Sequence, residues 1–211
     1  MPKPGRLIAL EGGDGSGKST QARMLADALG AQLTAEPGAT AWGSALRRLV
    51  LYPSLPSVSP RAEALLLAAD RAEHVAEVVG PALKAGRWVV TDRFSGSTLA
   101  YQGHGRGLPL AELRALVTWA TGGITPDLTV VIDVPVPEAR RRVTAQPADR
   151  LERLDAEFHE RVRAGYLALA GEGGDAWVVV DGRGTVDNVG AQVREAVTAR
   201  LGAPPVSSGR R

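Results

Sequence analysis

Residues 12–19 read Gly12-Gly13-Asp14-Gly15-Ser16-Gly17-Lys18-Ser19, a glycine-rich spacing that closes on Gly-Lys-Ser. Few short segments restrict a fold so strongly, because such a loop works only when a buried strand feeds it and a helix leaves it. Both flanks are present. Arg6-Leu7-Ile8-Ala9-Leu10 is a short apolar run of buried-strand type, and Lys18, Ala22, Leu25 and Leu29 fall at helical spacing. Glycines let the backbone curl until successive N–H groups point inward, and the new helix turns its positive end to the same place. The segment therefore predicts a cradle for the phosphates of a nucleoside triphosphate. Gly12, Gly13, Asp14, Gly15, Ser16, Gly17, Lys18, Ser19 and Thr20 are expected around that ligand, with Lys18 reaching its β and γ phosphates. Ser19 offers a hydroxyl to Mg2+, a cation that takes hard oxygen ligands.

Further apolar runs of strand length follow: Gln32-Leu33-Thr34, Trp88-Val89-Val90-Thr91, Leu128-Thr129-Val130-Val131-Ile132 and Trp177-Val178-Val179-Val180. Helical patterns separate them. They cover Trp42 to Leu51, Ser59-Pro60 to about Leu83 with a kink at Pro81, Leu110 to Thr121, Pro137 to Thr144, Leu154 to Ala170 and Val186 to Leu201. Strands alternating with helices predict an α/β protein, a five-stranded parallel sheet between two helical layers, with ligands at the carboxyl ends of the strands. Tyr52 to Ser59, Gly103 to Pro109 and Gly171 to Asp175 read as loops. The 211 residues suit one domain over 1–201, and 202–211 hold too little apolar surface to pack.

Charge and composition exclude several classes. Lysine and arginine total 25 against 23 acidic residues, a formal charge of +2, too even for a polybasic nucleic-acid surface. No cysteine is present, which removes disulfides, thiolate metal sites and cysteine nucleophiles. The first apolar run is too short for a signal peptide and no stretch is long enough to cross a bilayer, so a cytoplasmic protein independent of membranes is expected.

A second constellation ends the third strand, Val89-Val90-Thr91-Asp92-Arg93-Phe94. Asp92 is placed to hold Mg2+ directly or through water, and Arg93 to clamp an acceptor phosphate. With Ser97 and Ala100-Tyr101-Gln102-Gly103 behind it, this segment resembles the Asp-Arg-Tyr, Ser, Ala-Tyr-Gln-Gly signature of thymidylate kinases. Glu36-Pro37-Gly38, Leu46-Arg47, Ala68-Ala69-Asp70-Arg71 and Asp149-Arg150-Leu151-Glu152 follow in family order, so the resemblance spans about Leu7 to Asp181. It implies a P-loop kinase fold with a small lid at about 140–153. It also implies a homodimer that uses Mg2+ and transfers the γ-phosphate of ATP to thymidine monophosphate.

The resemblance assigns roles residue by residue. Asp14 matches the acid that bonds the acceptor sugar's 3'-hydroxyl; a carboxylate inside a phosphate loop would otherwise repel its ligand. Arg47 and Arg93 match the pair on the acceptor phosphate, where guanidinium forks set charge and direction; the lesser alternative is that Arg47 or Arg48 lies solvated on a helix face. Glu36 belongs to the same acceptor set. Arg71 matches the residue that reaches the thymine carbonyl, Thr98 and Gln102 stand where the base edge is read, and Tyr101 matches the ring that crowds the 2' position. Three positions depart from the family: Leu67 replaces a phenylalanine that stacks on thymine, Ala35 an arginine, and Phe94 a tyrosine. Stacking on the base is expected to be weaker or supplied differently, and one cation and one hydroxyl are missing, which bears on base selectivity and turnover more than on reaction type.

Gly15 occupies the place where one subgroup of the family carries a catalytic arginine, so the chain resembles the subgroup that supplies it from the lid. Arg140, Arg141, Arg142, Arg150 and Arg153 are available, with Arg142 and Arg150 the leading candidates. Asp181-Gly182-Arg183-Gly184 either lies beside the adenine or forms a plain turn. Two rivals remain: a related kinase acting on a deoxynucleoside or another monophosphate, and a nucleotide-dependent switch, against which stands the lack of an Asn-Lys-x-Asp guanine-reading motif.

Overall fold

The apolar runs become five parallel strands in the computed structural model, which describes residues 5–143 and 148–202. They are β1 (Leu7–Glu11), β2 (Gln32–Ala35), β3 (Val89–Asp92), β4 (Leu128–Asp133) and β5 (Trp177–Asp181), in the order β2-β3-β1-β4-β5. Parallel neighbours need crossovers, and helices supply them: α1 (Lys18–Leu29), α2 (Ala41–Leu51), α3 (Pro60–His74), α4 (Gly80–Lys84), α5 (Ser95–Thr98), α6 (Leu110–Thr121), α7 (Val136–Arg142), α8 (Ala156–Glu172) and α9 (Val186–Leu201). Segments 1–4, 144–147 and 203–211 lie outside the described residues, and with them the expected unpacked tail and part of the lid.

Side chains of the central strands alternate between two cores, as the pleat requires. Ile8 and Leu10 join Val130, Ile132, Leu25 and Val193 beneath α1 and α9. Leu7 and Ala9 face the other way, toward Val79, Ala82 and Phe94, while Val131 meets Tyr101, Phe158, Val162 and Tyr166. The result is the three-layer α/β/α P-loop kinase fold. Because β1 pairs with β3 on one side and β4 on the other, the loop after β1 opens into the crevice where the strand order reverses.

Two local expectations are revised. The long helix after Ser59 is interrupted before Pro81, not at it: α3 ends at His74, a π-helical turn spans Val75–Val79, and the Gly80 N–H bonds back to the Val75 carbonyl. A proline cannot donate and its ring crowds the carbonyl four residues earlier, so the wider turn upstream accommodates it. Gly103 to Gly105 are not loop either. A second π-helical segment, Leu99–Gly105, continues α5 and buries Tyr101 and Gln102.

Candidate active site

Each strand delivers a polar residue to the same edge of the sheet, and the phosphate loop lies in the middle of that edge. Gly15 has φ +79, and a Cβ built on it would stand 2.2 Å from the Ala139 carbonyl oxygen of α7. Only glycine fits both the backbone and the contact. The Lys18 ammonium is buried, 3.3 Å from the Gly13 carbonyl and 3.7 Å from Asp14. Burial and the nearby Arg93 cation pull its pKa below the ordinary lysine range, against Asp14, Asp92 and Glu11.

Ser19 Oγ donates to Asp92 Oδ2, so β3 and the start of α1 bring two hard oxygens together. The other Asp92 oxygen, Oδ1, is buried without a partner among the described residues. An orphaned carboxylate oxygen beside a serine hydroxyl fits a divalent cation of the Mg2+ kind.

Asp14 is the junction between loop and crevice. It accepts hydrogen bonds from Arg93 Nη2 and from the Tyr101 hydroxyl, the latter at 2.7 Å. Burial alone would raise its pKa, but Arg93, Lys18 and the Tyr101 hydroxyl outweigh it and hold the carboxyl at about 2. Arg93 itself carries φ +72, rare for a side chain-bearing residue, with its carbonyl accepting from Thr91 Oγ1 at 2.8 Å.

From this junction opens a cavity of about 300 Å³ that gathers the residues expected at the acceptor. Asp14, Lys18 and Ser19 come from the loop and α1, Glu36 from the end of β2, Arg47 from α2, and Leu67 and Arg71 from α3. Asp92, Arg93, Ser97, Thr98, Tyr101 and Gln102 enter from the end of β3 and the helix beyond it. Arg47 donates to the Pro37 carbonyl at 2.9 Å. Arg71 donates to Glu36, Thr98 and the Phe94 carbonyl at 2.8, 2.8 and 2.9 Å, which fixes the plane of its guanidinium. Gln102 donates to Glu63 through Nε2, and its side-chain Oε1 is buried without a partner among the described residues.

Other expected residues stand elsewhere. Arg142 bonds the Gly182 carbonyl and Glu138, Arg150 bonds the carbonyls of Tyr52 and Leu55, and among the described residues neither lines the acceptor cavity. Arg140 lines a second space of about 210 Å³ between Gly12, Gly13, the end of β4 and α8. Arg183 pairs with Asp181 in solvent.

Several buried residues of the site had no motif to announce them. Glu11, fully buried at the end of β1, accepts from the Phe94 and Ser97 amides and from the Ser97 and Tyr166 hydroxyls. His74 bonds Glu36 and Thr34, at 2.8 and 2.7 Å, behind Arg71. The one available signal was chemical: an acid in an apolar strand and a histidine on the inner face of a helix each demand buried partners.

A family model described as thymidylate kinase matches residues 10–193. The chain is 47% identical to a thymidylate kinase of Leifsonia xyli over 94% of its length and 97% of that relative's, and 45% identical to one of Cereibacter sphaeroides over 98% and 100%. A crystal structure of thymidylate kinase from Ehrlichia chaffeensis superposes with a TM-score of 0.75 at 29% identity, covering 92% of this chain and 99% of that one.

Proposed function

The chain belongs to the thymidylate kinase family of ATP-dependent nucleoside monophosphate kinases, and we propose that its site divides between a donor loop and an acceptor crevice joined at Asp14. It transfers the γ-phosphate of ATP to thymidine 5'-monophosphate, giving thymidine 5'-diphosphate and ADP. The observation that carries the reading is that junction. A carboxylate inside a phosphate loop serves only if it faces another group, and here it faces Arg93 and Tyr101 on the wall of the acceptor cavity.

In this reading Gly12 to Thr20 hold the triphosphate, and Lys18 neutralises its β and γ oxygens. Arg47 and Arg93 fix the acceptor phosphate for in-line attack, and no covalent enzyme intermediate forms. Arg71, Thr98 and Gln102 read the base over Leu67, Tyr101 excludes a 2'-hydroxyl, and Ser97 and Glu36 brace Arg93 and Arg71. Ser19 and Asp92 would hold Mg2+, which when bound offsets negative charge on the transferred group. A lid arginine completes charge stabilisation, with Arg142 or Arg150 swinging in, or Arg140, which lines the space beside Gly12 and Gly13. Arg183 would flank the adenine.

The same reading extends to the whole protein. It is one domain over 1–201 with its lid at about 140–153, and it works as a cytoplasmic homodimer, since both substrates are charged nucleotides that membranes retain. Trp42 on α2, Leu65 on α3 and Trp119 on α6 are largely exposed on helices that pack side by side, as a helical dimer face would require.

A coupled assay of ADP release with thymidine, its monophosphate and the other nucleoside monophosphates tests the assignment. Thymidine monophosphate should be the best acceptor. Preference for the unphosphorylated nucleoside, or failure of every monophosphate to bind in calorimetry, would overturn it.

A further inference from the structure

Arg93 spends its two terminal nitrogens on an unusual set of partners. Nη1 donates to the Gly12 carbonyl at 3.1 Å, Ser97 Oγ at 3.1 Å and the Tyr166 hydroxyl at 3.2 Å; Nη2 donates to Asp14 and to the Tyr101 hydroxyl. A hydroxyl that accepts from a guanidinium must send its single proton elsewhere. Tyr101 sends its proton to Asp14. Ser97 and Tyr166 both reach Glu11 Oε2, at 2.6 and 3.0 Å, and stand 2.9 Å from each other, so the carboxylate is the acceptor that leaves their oxygens free to receive Arg93.

Glu11 also acts on the backbone. Its Oε1 accepts the Phe94 and Ser97 amides, each at 3.0 Å, immediately beyond the left-handed Arg93. A strained residue persists only where its surroundings over-determine it, and these two bonds pin the chain on its carboxyl side. The carboxylate is wholly buried, so all its interactions lie within this network.

We propose that Glu11 is a positioning residue for the acceptor phosphate: by orienting the Ser97 and Tyr166 hydroxyls and holding the Arg93 backbone, it sets the direction in which the Arg93 guanidinium meets that phosphate. This rests on the assignment of Arg93 to the acceptor clamp. Glu11 touches no substrate. A glutamine at this position keeps the volume but brings two N–H donors to the place where hydroxyl protons now point. In the other amide orientation those donors face the Phe94 and Ser97 amides instead, so either the hydroxyls or the backbone beyond Arg93 lose the acceptor that Glu11 provides.

Calorimetric binding of thymidine monophosphate and of thymidine to the wild type, Glu11→Gln and Arg93→Ala separates positioning from scaffolding, because the two ligands differ only in the phosphate. Glu11→Gln should weaken the monophosphate by about tenfold, the size of one charge-assisted contact, and thymidine by less than about twofold. Equal weakening of both ligands, or of neither, overturns the proposal. If Arg93→Ala leaves the ratio of the two affinities unchanged, the clamp assignment itself has failed, and the proposal falls with it. Should Glu11→Gln not fold, Tyr166→Phe removes one relayed hydroxyl and should shift the same ratio in the same direction; an unchanged ratio there also overturns it.

Discussion

Asp14 shows how a single side chain ties stability to function. Its pKa is depressed in the folded protein, from 3.8 to about 2, so the stabilisation it contributes is complete above the unfolded value and is lost as pH falls through the folded one. Comparing urea unfolding of the wild type with Asp14→Asn between about pH 5 and about pH 2, the stability gap should close by about 2 kcal/mol. A gap independent of pH would show that the carboxylate is not paired as described. Gly15 is a case of steric constraint. Its φ of +79 and the Ala139 carbonyl at 2.2 Å from a built Cβ mean that Gly15→Ala should lower stability by about 1–3 kcal/mol and depress phosphoryl transfer, read by thermal melting and ADP release. An unaltered melting point would contradict the close approach. Both positions lie within the glycine-rich loop that the chain spells out most plainly. Glu11 and His74 were not legible, because a buried polar network is made by distant segments that meet only in the fold.

At the scale of elements, the central strands followed from composition, since runs of valine, isoleucine and leucine are what a doubly covered parallel sheet needs, whereas the edge strand β2, Gln-Leu-Thr-Ala, carries no such run. The π-helical segments did not follow. Gly103-His104-Gly105, which read as the start of a loop, closes the segment Leu99–Gly105, and packing against Phe158 and Val162 of α8 holds it helical. Tertiary contact overrides local preference there. Helix α8 itself starts two residues later than periodicity suggested, because Asp155 caps it by accepting the Phe158 amide at 2.7 Å. This helix delivers Tyr166 to the site. Asp155→Ala should cost about 1 kcal/mol of stability, measured by denaturant midpoint, while leaving the helix in place. A midpoint that does not move would assign the cap no energetic role.

For the whole molecule, the sheet order matters more than any motif. With β1 between β3 and β4, the triphosphate loop, the Asp92-Arg93 turn and the base of the lid meet at one crevice, although they are spread over more than a hundred residues of chain. The assembly is testable at the same scale: Trp119, 84% exposed, belongs at the proposed dimer face, and Trp119→Glu should halve the mass seen by light scattering. A wild type that is already monomeric would remove the dimer. The contact between Gly15 and α7 reaches furthest. A lineage in which helix α7 rests this low on the phosphate loop has no route to an arginine at position 15 by one substitution, since the new side chain would have to occupy the volume of the Ala139 peptide. The helix would have to retreat first, and it carries Arg140, Arg141 and Arg142 with it, so the loop and the proposed lid arginines cannot be changed independently.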